Sequence, residues 1–152
     1  MNYQARRPVA GGQPQASTPR GDQSTRRIDY DAIIVRGDAA VLVDTAQRIG
    51  QDLARQRLTT SQIRGVFGSV RRIEMNWSSN APEAREVQAQ RELILLKPKL
   101  AYQARRQGEA VQELANVLNP AIDLVGSDRT RFRNFVDFFE AILAYHRASG
   151  GR

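Results

Sequence analysis

From residue 28 onward, apolar residues recur at intervals of three and four, and no stretch alternates long enough to make a strand. The pattern predicts an all-α fold, a compact bundle of five to six helices. A short turn through Ile33 and Ile34 is expected to dock on the first long helix. That helix runs from an N-cap at Asp38 to about Gln56, with Leu42, Ala46, Ile49 and Leu53 on its buried face. The second opens after Leu58, where Thr59 and Gln62 have capping-box spacing, and carries Ile63, Val66, Phe67, Val70, Ile73 and Trp77. Asn80, three residues before Glu83, is expected to cap a third helix that ends in an apolar turn, Leu93 to Leu96, buried on every side. Pro98 should end or kink it, leaving a short helix from Lys99 to Gln107 before Gly108. A further helix from Glu109 reaches Asn119 and Pro120, with Ile122, Leu124 and Val125 completing the core. The last, from Asp128 to Ala148, lines up Phe132, Phe135, Val136, Phe139, Ile142, Leu143 and His146.

Composition sharpens this picture at the chain's beginning. Residues 1–27 hold three of six prolines and three of eleven glycines, with five Arg, one Asp and little to bury, so a disordered basic tail is expected before a helical domain at 28–152. With no Cys in 152 residues, disulfides, thiolate zinc sites and cysteine nucleophiles are excluded, and a single His removes paired-imidazole chemistry. No apolar run approaches the roughly 20 residues of a bilayer span, and no signal-peptide core follows Met1, which predicts a cytoplasmic protein with no membrane partner.

The net charge of +7 is unevenly placed. Residues 60–106 carry nine basic and four acidic groups, whereas the blocks on either side, 28–59 and 107–152, are each slightly acidic. A basic middle between near-neutral flanks is the footprint of a polyanion site. With residues about 100° apart on the second helix, Arg64 and Arg71 fall together beside the core stripe. Ser61, Gly65, Gly68 and Arg72 form a strip of tiny side chains bordered by three guanidinium groups. Each interior glycine costs a helix about 1 kcal/mol relative to alanine, so the strip serves close approach, either of a phosphate backbone gripped by arginines or of a second helix. A second cluster is Lys97, Lys99, Arg105 and Arg106 around Pro98, where a helix start would offer free N–H groups to phosphate. Tyr102 and Trp77 are expected to pack in the core rather than stack on bases.

Phe138, Ala141 and Tyr145 lie opposite the main stripe of the last helix, so either the bundle covers both sides or, the preferred reading in so short a domain, the second is a protein interface, while His146 falls within the stripe as a hydrogen-bonded core residue. Asp137 and Glu140, with Asp128 or Asp123, have helical spacing for a metal, but alternating acids on a wet helix side usually serve solubility. No glycine-rich phosphate loop, HExxH pattern or nucleophile elbow occurs. No enzyme, cofactor or metal is predicted.

Three segments, Leu58-Thr59-Thr60-Ser61-Gln62-Ile63-Arg64 running on to Val70-Arg71-Arg72-Ile73, Leu95-Leu96-Lys97-Pro98-Lys99-Leu100-Ala101-Tyr102, and Phe135-Val136-Asp137-Phe138-Phe139-Glu140-Ala141-Ile142, resemble the small subunit of type III-A CRISPR interference complexes, the Csm family. The resemblance covers roughly residues 30–148 and implies a non-catalytic helical bundle, several copies of which stack along a crRNA-containing complex. It further implies that these copies line the path of the target RNA and contact the large polymerase-like subunit and the guide-holding backbone subunits. The positions matching the family's basic motifs are Arg64, Arg71, Arg72, Lys97, Lys99 and Arg106; Arg105 joins them on charge alone. Two other readings remain open at this point. Thr59 to Arg64 also has the form of a recognition helix in a helix-turn-helix DNA-binding repressor, and a purely structural subunit would meet acidic protein surfaces with the same basic patches.

Overall fold

The computed structural model describes residues 27–152, and the expected tail, residues 1–26, lies outside the described residues. Among the described residues the chain is helical throughout, with no strand. A π-helical turn, Asp31–Val35, precedes five α-helices: α1 Ala39–Arg55, α2 Thr60–Asn76, α3 Glu83–Gln107, α4 Glu109–Val125 and α5 Arg129–Ala148. Three starts follow the sequence signals. The Asp38 carboxylate accepts from Val41 N at 3.1 Å and the Asp128 carboxylate from Arg131 N at 3.0 Å. At α2 the Thr59 hydroxyl accepts from Gln62 N while the Thr59 N–H donates to the Gln62 side chain, a complete capping box.

The start of α3 departs from expectation. Pro82, not Asn80, is its N-cap residue and no side chain caps it. Proline suits this place because the missing N–H is one the first turn would leave unpaired. The helix then runs unbroken through Pro98, where an end or kink was expected. Pro98 removes the bond to the carbonyl of Ile94, but both residues lie on the exposed side, where the lost bond is not forced into a dry core. The same reason carries α4 through the exposed Pro120 to Val125.

Helix α5 is the axis of the bundle and packs against α1, α2 and α4, while α3 lies outside, against α2 and α4. Phe132, Phe135, Phe138 and Phe139 are all fully buried. Trp77 stacks on Phe132 with ring centroids 4.8 Å apart, and Phe67 meets Phe139 edge-on at 5.2 Å; such pairs contribute about 1 kcal/mol each beyond the area they bury. The π turn buries Ile33 and Ile34 among α1, α4 and α5 rather than on α1 alone. Tyr30 fixes it there by donating its hydroxyl proton to the Val117 carbonyl at 2.7 Å.

The second apolar side of α5 corrects the interface expected at Phe138, Ala141 and Tyr145. Phe138 is 0% exposed, and Ala141 and Tyr145 are half-buried against the same core. Helix α1 covers this side. Its Gly50 lies so close to α5 that a Cβ there would come within 2.7 Å of the Tyr145 Cβ and the His146 N. His146 is buried as expected, with Nε2 2.6 Å from the Leu58 carbonyl oxygen. A carbonyl only accepts, so Nε2 carries the proton. Beyond α5 the chain turns back: Gly151 N bonds to His146 O, and Thr60 N donates to Arg152 O at 2.7 Å, which satisfies an N–H of the first turn of α2.

Candidate nucleic-acid interface

The outer side of α2 is built as its periodicity dictates. Ile63, Val66, Val70 and Ile73 are buried, and Arg64, Gly65, Gly68, Arg71, Arg72 and Met75 are exposed. Around Gly65 and Gly68 nothing lies within 4 Å of where a Cβ would stand, so no described helix of this chain packs on the strip. The glycines leave a shallow open track beside the guanidinium groups. Arg64 forms no ion pair or hydrogen bond with a described residue. Arg71 bonds to Glu74 at 2.6 Å, with its guanidinium 6.0 Å from the Phe67 ring centre, which holds the cation on the α5 side of α2. Arg72 leans the other way, reaching Ser69 Oγ at 3.4 Å.

On that other side a cleft of about 190 Å³ separates α2 from α3. Arg72, Lys99, Ser69 and Asn76 stand around it, so one member of each basic cluster meets there. The remaining members of the second cluster disperse because α3 is continuous. Two residues along a helix turn the side chain by about 200°, and Lys97 accordingly faces α4, where it pairs with Asp123 at 2.6 Å. The expected helix start with free N–H groups at Lys99 does not exist. Arg105 and Arg106 are exposed near the end of α3, and Arg106 sits over the Tyr102 ring, 5.6 Å from its centre. Tyr102 is 63% exposed rather than part of the core.

The apolar turn at Leu93–Leu96 is also split. Leu93 and Leu96 are buried, but Ile94 is 62% and Leu95 42% exposed. With Val87 and Tyr102, at spacings of seven and eight, they place four large apolar side chains on the outward side of α3, opposite its buried side, with the exposed Arg91 and Arg105 among them. Among the described residues, four of the six large apolar side chains left exposed lie on α3 and none on α5; Val43 and Met75 are the other two. The seven-residue spacing from Val87 to Ile94 and from Leu95 to Tyr102 is legible in the sequence once α3 is known to be one helix. Arg129 and Arg133, whose alternation with Thr130 and Phe132 gives no clue in the sequence, face the C-terminal end of α2. No group of three or more potential metal ligands occurs among the described residues, which leaves Asp137 and Glu140 as exposed surface carboxylates.

Residues 36–152 match the family model described as Csm2 Type III-A. The chain belongs to the Csm2 family. The match takes in all five α-helices and begins just after the π turn. Comparison with curated proteins and with solved structures gives no match. Membership makes the chain a small subunit of a type III-A CRISPR complex and replaces the repressor reading of α2. No helix among the described residues is long and apolar enough to cross a membrane.

Proposed function

We propose that this Csm2 chain is a non-catalytic RNA-binding subunit that grips the phosphate backbone of target RNA through the outer side of α2 and the α2–α3 cleft. The observation that carries the reading is the open glycine strip, Gly65 and Gly68 with nothing within 4 Å, bordered by Arg64, Arg71 and Arg72. A strip of this kind admits a sugar-phosphate backbone to within van der Waals contact of the helix, and arginine forks then reach nonbridging oxygens. Lys99 joins Arg72 across the cleft, Arg105 and Arg106 extend the field along α3, and Lys97 contributes only its long-range charge because Asp123 holds it.

Backbone contacts carry no sequence information, so the choice of target belongs to the crRNA. Each copy binds weakly, and affinity arises from several copies on one strand. The apolar side of α3, with Ile94 and Leu95 at its centre, supplies the contact to neighbouring copies and to the large polymerase-like and guide-holding subunits. The reading places the protein in the cytoplasm.

Fluorescence anisotropy with a labelled single-stranded RNA of roughly 40 nucleotides, compared with duplex DNA across a salt series, tests it. Sequence-tolerant RNA binding that falls steeply with salt is expected. Arg64→Glu with Arg71→Glu should weaken it at least tenfold at low salt with helical circular dichroism unchanged, because both side chains flank the core rather than fill it. Unaltered affinity in a folded double variant would remove this face from the RNA path.

A further inference from the structure

Where the C-terminal end of α2 meets the first turns of α5, a cleft of about 530 Å³ opens beside the loop at Ser78 and Ser79. Its lining includes Arg129 and Arg133 from α5, Ser78, Ser79 and Thr130 with their hydroxyls, and Trp77, which is 4% exposed. Trp77 is held rigidly there by its stack on Phe132. One carboxylate, Glu74, borders the cleft, and Arg71 already neutralises it at 2.6 Å. Arg129 reaches Glu86 only at 3.5 Å with both side chains partly in solvent, an arrangement that holds a guanidinium weakly. Arg133 and the three hydroxyls are bonded to no side chain among the described residues.

Two guanidinium groups and three hydroxyls thus surround a space large enough for one nucleotide, and the carboxylates beside it, Glu74 and Glu86, each already meet an arginine. We infer that the cleft is a second RNA subsite, in which Arg133 and Arg129 bind a phosphate of single-stranded RNA and the sugar and base rest against the Trp77 edge. The inference builds on the RNA reading of α2 and lengthens its path. Arg71 stands between the two regions, on the α5 side of α2, and Arg64 to Trp77 spans about 20 Å of helix. A strand that leaves the glycine strip and crosses α2 over Arg71 reaches the α5 side, where the cleft opens, and each added phosphate contact steepens the salt dependence.

Trp77 is the sole tryptophan in the sequence, so its emission reports on the cleft alone. The test titrates the full chain with a single-stranded oligouridylate, following Trp77 emission and the anisotropy of the labelled strand together. Emission that changes in step with anisotropy is expected. Arg133→Glu should abolish the emission change, weaken binding about three- to tenfold and lower the salt slope by about one, with circular dichroism unchanged. RNA binding with flat Trp77 emission and an Arg133→Glu variant equal to the parent would overturn the subsite while leaving the α2 reading intact. Absence of RNA binding altogether would overturn both. An equal emission change with inorganic phosphate alone would reassign the cleft to small anions and overturn the strand assignment.

Discussion

Tyr30 shows how one side chain ties the start of the bundle to its far end. Its hydroxyl reaches the Val117 carbonyl, and burial, reinforced by the charge of Glu113, pushes its pKa up from 10.0 to about 12. The unfolded chain then loses this proton near pH 10 while the folded one keeps it, so the contribution is full below pH 10 and fades as pH rises through 12. Tyr30→Phe should cost about 1 kcal/mol in urea unfolding at pH 8 and should flatten the decline between pH 10 and 12. Gly50 is the second residue on which the bundle turns. A methyl group there would meet Tyr145 Cβ, His146 N and Ile142 O at 2.7 to 2.9 Å, two of which are backbone atoms that cannot step aside. Gly50→Ala should therefore destabilise by about 1–3 kcal/mol by thermal or urea unfolding, although alanine is the better helix former.

At the scale of the element, α2 and α3 show why a helix pattern is legible and its surroundings are not. Local signals fixed α2 to within a residue: a capping box, a buried stripe and a charged outer side. The pattern left open what Gly65 and Gly68 are for, because both a phosphate backbone and a neighbouring helix favour small residues. Their open environment now yields a prediction opposite to that for Gly50. Gly65→Ala with Gly68→Ala should stabilise the protein by about 1–2 kcal/mol, since nothing blocks the added methyl groups, and should weaken RNA binding if the strand approaches the strip. Improved stability with unchanged RNA affinity would place the strand farther out. In α3 the helix passes through Pro98, where the sequence predicts an end or a kink. A proline costs a helix most where the lost bond has no substitute, and on a wet side water supplies one. Because α3 is continuous, the second basic cluster divides between α4 and the α2–α3 cleft; separately, an apolar run does not tell which of its members face out, and Ile94, Leu95 and Tyr102 stand in solvent.

For the whole molecule, the division between covered and uncovered surface decides what remains available for assembly. Helix α5 is sheathed on both apolar sides, by α2 and α4 on one and by α1 on the other, whereas α3 packs along one side only. Ile94→Glu should leave the circular dichroism and unfolding midpoint of the isolated chain nearly unchanged, because the side chain is already in solvent. The same substitution should abolish incorporation into the complex, measured by co-purification with its other subunits. Normal incorporation would show that α3 is not a contact surface. The sequence alone determined the helical class, the boundaries of α1, α2 and α5, the buried stripes, the burial of His146 and the positive charge of the middle of the chain. These depend on neighbours three or four residues away or on a sum of charges, and periodicity records both. Tertiary structure alone decided which apolar side of which helix is covered, that Lys97 and Lys99 part company, and that Arg129 and Arg133 meet the end of α2. Those outcomes depend on elements far apart in the chain, and spacing within one helix carries no information about what packs against it.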